Sequence, residues 1–381
     1  MQVITEGGPL KEFCAALKAG PFVAVDTEFM RESTFWPKLC LIQAAGEGVE
    51  AIVDPKADGL DLTPLWEVLS APTIKVFHAA RQDIEIFFKL AGAMPAPIFD
   101  TQIGAMACGL GDSVAYDALV QSFLKRRVDK SHRFTDWSRR PLSRDQLEYA
   151  LADVTHLRDL YPIMHEKLVE SGRLRWVDEE LAALSDPGIY DMEPENAWSR
   201  LKFRRATPEY LAALRAAAAW RERLAQSRDV PRGRILKDDA LYEIAEQRPR
   251  TAAAFDRLRA VPKGFGNSRM GQELAAALDA ALADPAAYAP HIDRRAGPPP
   301  GGATVELLKV LLRHASDTHG VAARLIASSS DLEWIAASDH ADCRALSGWR
   351  REIFGEQALA LKHGKLALSL ERGKVVLRET G

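Results

Sequence analysis

The sequence predicts an α/β domain, a mixed sheet flanked by helices, followed by two all-α domains. Three observations point to it. Short apolar and β-branched runs alternate with helical patterns over the first ~190 residues of a 381-residue chain. From Ala197 onward the periodic segments are helical and Ala-rich. Two stretches rich in turn formers, SDPGIYDMEPEN (185–196) and HIDRRAGPPPGGA (291–303), break the pattern; Pro-Pro-Pro followed by Gly-Gly cannot continue a helix. The expected domains are 1–190, 197–290 and 303–381.

FVAVDTEF (22–29) is apolar, β-branched and ends in acids, so it reads as a strand. KLCLIQAA (38–45) and EAIVD (50–54) follow at hairpin distance, and IKVFH (74–78) is a further short strand. RQDIEIFFKLAG (81–92), TQIGAMACGLG (101–111) and the long segment 143–172 carry helical patterns. Ser143 with Gln146 three residues on is a capping box that starts the last of these. Beyond residue 303, VELLKVLLRHASDTHG, RLIASSSDLEWIAAS and REIFGEQALALKHG are expected helices. The two C-terminal segments match in size and class, which leaves a diverged repeat open.

The chain is 47% hydrophobic and 27% charged, a globular composition. No apolar run reaches the roughly 18 residues of a membrane span, and the N-terminus lacks a basic region followed by an apolar stretch. Cys14, Cys40, Cys108 and Cys343 lie far apart, without zinc or disulfide spacing. A cytoplasmic protein, monomeric and without membrane attachment, is expected. The net charge of −3 hides a division: −11 over residues 1–195, +7 over 196–295 and +1 over 296–381. From Arg200 to Lys237, 11 basic residues face 3 acidic ones. Either a polyanion partner or an ordinary ion-paired helical surface accounts for that excess.

Asp26 and Glu28 stand at i and i+2 near a strand end, on one face of the sheet. Acids on an apolar strand are costly unless solvated or paired with a cation, and oxygen ligands suit Mg²⁺ or Mn²⁺. A solvated strand end also explains the pair. Asp83 lies in the first turns of a helix, where an acid also complements the dipole. Tyr149 and Asp153 share one face of an otherwise apolar helix. Together these four acids and one tyrosine suit two divalent ions about 3.5–4 Å apart, which activate a water and stabilise a leaving oxygen. The tyrosine hydroxyl would orient that water or help deprotonate it.

These residues carry a resemblance. VAVDTEFMRESTFWPKLCLIQ, VFHAARQDIEIF and DWSRRPLSRDQLEYALADVTHL resemble the three exonuclease motifs of the DEDD superfamily, in the branch with tyrosine in the third motif. The run from Asp26 to Gln43, with Trp-Ser-Arg-Arg-Pro-Leu, is similar to the ribonuclease D family, and the segments near 197–286 and 303–370 resemble HRDC domains. The resemblance implies a ribonuclease H-like fold and a 3′→5′ exoribonuclease that releases nucleoside 5′-monophosphates from tRNA precursors and other small structured RNAs. It implies that Asp26, Glu28 and Asp153 bind one metal ion. Asp26 would bridge to a second with Asp83 in support, and Tyr149 would position the water. The second motif carries Ala-Arg-Gln before Asp83, and His156 stands where an aromatic is common. Neither departure removes a catalytic group.

Such work needs a single-stranded 3′ end beside the metals. Phe29, Met30, Phe35 and Trp36 near the first motif are candidate stacking residues, with core packing as the alternative, and His78 is a further candidate. Lys125, Arg126, Arg127, Lys130, Arg133, Arg139 and Arg140 surround Trp137 in a pattern that fits phosphate contact. In the middle domain Arg200, Lys202, Arg204, Arg205, Arg221 and Arg223 form a candidate grip, with Lys263 and Arg269 beside the Gly264–Asn267 turn. A DNA exonuclease and a non-catalytic RNA-binding protein remain open. No G-x-x-x-x-G-K-[ST] loop occurs, so no nucleotide cofactor or ATP-driven motor is expected.

Overall fold

A computed structural model describes residues 1–202, 205, 207–291 and 302–380. They fall into two compact units: residues 1–28, 40–187 and those from 302 on form one, and 29–39 with 188–291 form the other.

The first unit is built on a six-stranded mixed sheet. Its strands are β1 (Val3–Ile4), β2 (Phe22–Met30), β3 (Lys38–Gly46), β4 (Val49–Val53), β5 (Ile74–Phe77) and β6 (Ile98–Asp100). They lie in the order β1-β4-β3-β2-β5-β6, parallel except that β3 and β4 pair antiparallel, within the pairs whose register is defined. β2 is interior, so Phe22, Val23, Ala24 and Val25 are all buried, and the run is apolar at every position rather than alternating. Helices α1 (Gly7–Ala19), α2 (Thr63–Ser70), α3 (Arg81–Ala91), α4 (Thr101–Ala107), α5 (Tyr116–Leu124), α6 (Arg144–Glu170) and α7 (Leu174–Leu184) complete this part. The capping box is present: Ser143 Oγ accepts from Gln146 N, and the Gln146 side chain accepts from Ser143 N. α4 stops at Ala107, short of the expected 111, because Gly109 turns to φ 79°. It packs close against α6, where a Cβ on Gly104 would collide with Met164 Sδ.

The C-terminal residues share this unit. Arg173 donates to Ala107 O at 3.0 Å and Gly320 O at 2.9 Å. Trp176 stacks on Trp349 at 4.1 Å, and buried Arg350 donates to Glu179 and to Leu325 O. The expectation of an all-α C-terminus is corrected by a hairpin, β7 (Leu366–Glu371) and β8 (Lys374–Glu379). LALSL and KVVLR are mostly apolar, and the two-residue loop Arg372–Gly373 takes φ 51° and 77°, the doubly left-handed geometry that suits a hairpin.

The second unit is helical around α8 (Pro208–Ser227), α9 (Arg232–Ile235) and α10 (Asp238–Gln247). Phe35 is 3% exposed and belongs to its core, so it is no stacking surface. Asp229 accepts the Phe35 and Trp36 N–H groups at 3.1 and 3.0 Å, and the Arg232 guanidinium covers the Phe35 ring at 4.4 Å. No helix among the described residues is long and apolar enough to cross a membrane.

Candidate active site

β2 carries Asp26 and Glu28 to the C-terminal end of its parallel pairing with β5. α6 brings Asp153 to them, and one ligand oxygen from each of the three acids lies within 4.8 Å of the others. No cation of the protein pairs with any of them among the described residues. Burial and mutual repulsion therefore dominate. Burial, then Asp153, raises Asp26 well above the usual carboxylate range. Burial, then Asp26, Asp153 and Asp83, pushes Glu28 up to about 9, and burial lifts Asp153 to about 7. Carboxylates held together at this cost could hold a divalent metal ion: a hard dication would replace the missing positive charge and accept oxygen ligands at short range.

Asp83 does not join the three. It is 7% exposed at the start of α3, where its carboxylate accepts from Thr27 Oγ1 at 2.5 Å. Burial and Asp26 raise its pKa as well. Asp100, absent from the sequence reading, braces this region. Its carboxylate accepts the N–H groups of Ala79, Ala80 and Gln102 at 2.8–2.9 Å, which holds Ala79 at φ 57° in the turn between β5 and α3. Its signal was the N-cap position before Thr101.

A cleft of about 350 Å³ opens on the site, lined among others by Asp26, His78, Tyr116, Arg133, Tyr149 and Asp153. His78 Nδ1 lies 3.0 Å from Thr101 Oγ1, and burial lowers its pKa. Tyr116, also missed from sequence, donates its hydroxyl to the Asp153 carbonyl and so holds the turn of α6 that presents the acid. Tyr149 stacks on the Trp137 ring at 6.0 Å and meets the His132 ring in a T-shaped contact at 6.1 Å. Burial and the neighbouring carboxylates push its phenol upward, so at neutral pH it is a hydroxyl rather than a phenolate. Tyr149→Phe is expected to lower kcat about 10- to 100-fold with KM nearly unchanged, in steady-state kinetics on a single-stranded oligoribonucleotide.

Several sequence candidates for RNA contact have other duties. Trp137 is 2% exposed; its ring backs Tyr149 and offers no face to a base. Arg139 pairs with Asp136, Arg126 with Asp159, Lys130 with Asp117 and Arg140 with Asp54. Arg140 also donates to Cys40 O at 2.7 Å. In the helical unit Arg221 is buried and bonds Leu236 O and Asp238, while Arg200, Arg205 and Arg223 pair with Glu222, Glu246 and Glu195. These four arginines thus have acidic partners within their own unit. Lys263 and Gly264 bond Asp256, and Arg269 bonds Glu273, so that turn is internally tied. Phe29, Met30 and Trp36 are partly buried, Trp36 edge-on to Phe35 at 4.7 Å. Arg204 lies outside the described residues.

Comparison with known proteins decides the family. A 3′-5′ exonuclease family model matches residues 1–169 and an HRDC domain model matches 211–278. Ribonuclease D of Nitrobacter hamburgensis is 53% identical over 377 residues, 99% of each chain. The chain belongs to the ribonuclease D family. Ribonuclease D of Granulibacter bethesdensis is 47% identical over 382 residues, 100% of this chain and 97% of its own. The solved structure of Escherichia coli RNase D, described as an exoribonuclease involved in structured RNA processing, superposes with a TM-score of 0.80. It is 29% identical and covers 95% of this chain and 99% of that one. Family membership and the three converging acids agree on a nuclease of the ribonuclease D kind, with the expected exonuclease fold and an HRDC domain behind it.

Proposed function

We propose that the protein is a divalent-metal-dependent 3′→5′ exoribonuclease that removes nucleoside 5′-monophosphates from a single-stranded RNA end. The observation that carries this is the convergence of Asp26, Glu28 and Asp153 within 4.8 Å beside Tyr149, in a chain of the ribonuclease D family. Asp26, Glu28 and Asp153 would hold one ion, with Asp26 shared and Asp83 supporting a second through water. Two such ions, Mg²⁺ or Mn²⁺, supply a hydroxide nucleophile and offset charge on the leaving oxygen. Tyr149 holds the attacking water in line, and Tyr116 keeps Asp153 in register. The reading takes tRNA precursors as substrates and a monomeric, cytoplasmic enzyme. It also takes 303–381 as a diverged second HRDC module. In support, the helix Gly302–His319 (18 residues), the helix Ala323–Ile326 (4) and the helix Ser329–Ala337 (9) follow the order of α8, α9 and α10 (20, 4 and 10 residues) at similar lengths.

The test is incubation with 3′-labelled and 5′-labelled tRNA precursor, with Mg²⁺ or EDTA. The expected result is immediate release of 3′ label as mononucleotide, a 5′-labelled ladder shortening with time, and no reaction in EDTA. Internal cleavage products, or full activity in EDTA, would sink it. Single-stranded DNA of the same sequence, run in parallel, is expected to be the poorer substrate.

A further inference from the structure

We infer that Phe134 is a base-stacking platform for single-stranded RNA entering the carboxylate cleft. Phe134 is 92% exposed, more than any other large hydrophobic side chain among the described residues. It stands on the loop between α5 and α6, one residue from Arg133, which lines the cleft together with Lys130. The neighbour on the other side of Arg133 in the chain, His132, meets the Tyr149 ring at 6.1 Å. A large apolar ring left in water at the rim of a catalytic cleft is unfavourable unless a ligand covers it, and a base has the flat apolar face to do so.

The loop is built to present the ring. Arg133 N donates to Lys130 O at 3.3 Å and Thr135 N to His132 O at 3.1 Å, so Phe134 sits on a closed turn. Trp137, buried three residues on, anchors that turn under Tyr149. The Arg133 guanidinium lies 5.5 Å from the Phe134 centroid, which steadies the ring and places a positive charge beside its face. The charge pattern selects the occupant. Arg126, Lys130, Arg139 and Arg140 are neutralised by nearby acids, whereas no carboxylate pairs with Arg127 or Arg133 among the described residues. An uncompensated guanidinium, Arg133, against one exposed ring at the cleft, with Arg127 unpaired in the same loop, suits alternating phosphates and bases, not an apolar peptide. The two aromatics of this loop therefore divide the work: Trp137 supports the catalytic tyrosine, and Phe134 meets substrate. This inference rests on the exoribonuclease reading, because it assigns the ring to the substrate of the same cleft.

The experiment uses the full chain in EDTA, so that RNA binds without hydrolysis. Oligoribonucleotides carry one 2-aminopurine at successive positions from the 3′ end. The wild-type protein is expected to quench fluorescence most at one position. Phe134→Ala loses that quench and binds about tenfold more weakly, while Phe134→Trp retains both. An abasic nucleotide at the same position weakens wild-type binding by a similar factor and leaves Phe134→Ala unaffected. Equal affinity and equal quench in Phe134→Ala overturn the assignment, as does a loss that does not depend on position. The exposed side chain makes misfolding an unattractive explanation, and the Trp variant controls for it. A position-specific quench with no hydrolysis on adding Mg²⁺ removes the exonuclease reading and leaves the stacking site. Hydrolysis with an unchanged Phe134→Ala removes the stacking site alone.

Discussion

Asp26→Asn abolishes hydrolysis, with kcat down by at least about 10³-fold, and at the same time stabilises the metal-free protein. The loss follows from the ligand set. Asp26 raises the pKa of Glu28, Asp83 and Tyr149 alike, so its charge is felt across the cluster. An amide keeps one oxygen but removes the charge, and about 4 kcal/mol of transition-state stabilisation corresponds to that factor. The gain follows from the same repulsion. Without metal, the raised carboxylates bind protons in the folded state that the unfolded chain has already released. Stability is therefore fullest below about pH 4 for these groups and falls as pH rises through about 7 for Asp153 and about 9 for Glu28. Thermal melts in EDTA are expected to show wild type losing stability between pH 5 and pH 9 through this site. Asp26→Asn should lose less and melt at least about 2 °C higher at pH 8. Mg²⁺ should raise the wild-type midpoint and leave that of Asp26→Asn nearly unmoved. An Asp26→Asn protein that melts lower than wild type in EDTA would refute the account of strained, uncompensated acids.

Glu222→Ala has the largest expected effect on stability. Glu222 is fully buried on α8 and accepts from Arg200 Nη1 at 2.9 Å and from Arg232 Nε and Nη2 at 2.6 and 2.5 Å. One carboxylate thus ties the segment before α8 to α9, and Arg232 in turn covers Phe35. Removing it leaves two guanidiniums without their common partner. Breaking a buried ion pair from one side costs about 3–5 kcal/mol, and the same range is expected for the helical unit here. Urea unfolding followed by tryptophan fluorescence checks it, since Trp198 and Trp220 lie in or against that core. Glu222→Gln, which keeps hydrogen bonding and loses charge, should fall between. A change below about 1 kcal/mol in Glu222→Ala would mean that the two arginines find water or other acceptors at no cost.

Much of the candidate site was legible because its chemistry is written locally. The i, i+2 pair on a strand and the i, i+4 pair on a helix each share a face by backbone geometry alone. Ser143 and Gln146 announced the start of α6 for the same reason. What escaped was either too short to show a period or bonded across long separations. β1 and β6 have two and three residues. The hairpin at 366–379 did carry a signal, apolar runs about an Arg-Gly turn, but it sits behind a helix whose pattern runs into it. Asp83 reads from sequence as a support of the second ion, and the hydroxyl that holds its carboxylate lies 56 residues away. Arg221 and Arg223 read alike in sequence; one is buried on a carbonyl and the other is exposed on a glutamate.

The sequence by itself determined the α/β class, the helical continuation, the candidate acids and tyrosine, and the sign of charge along the chain. These depend on side-chain type and on spacings of two to four residues, which backbone periodicity converts directly into shared faces. Only the tertiary structure decided which cations are already neutralised, which of two neighbouring aromatics faces water, and which acids meet closely enough for a common ion. Those outcomes depend on partners brought together by the sheet order and by the packing of α6, and no local pattern records the identity of a distant neighbour.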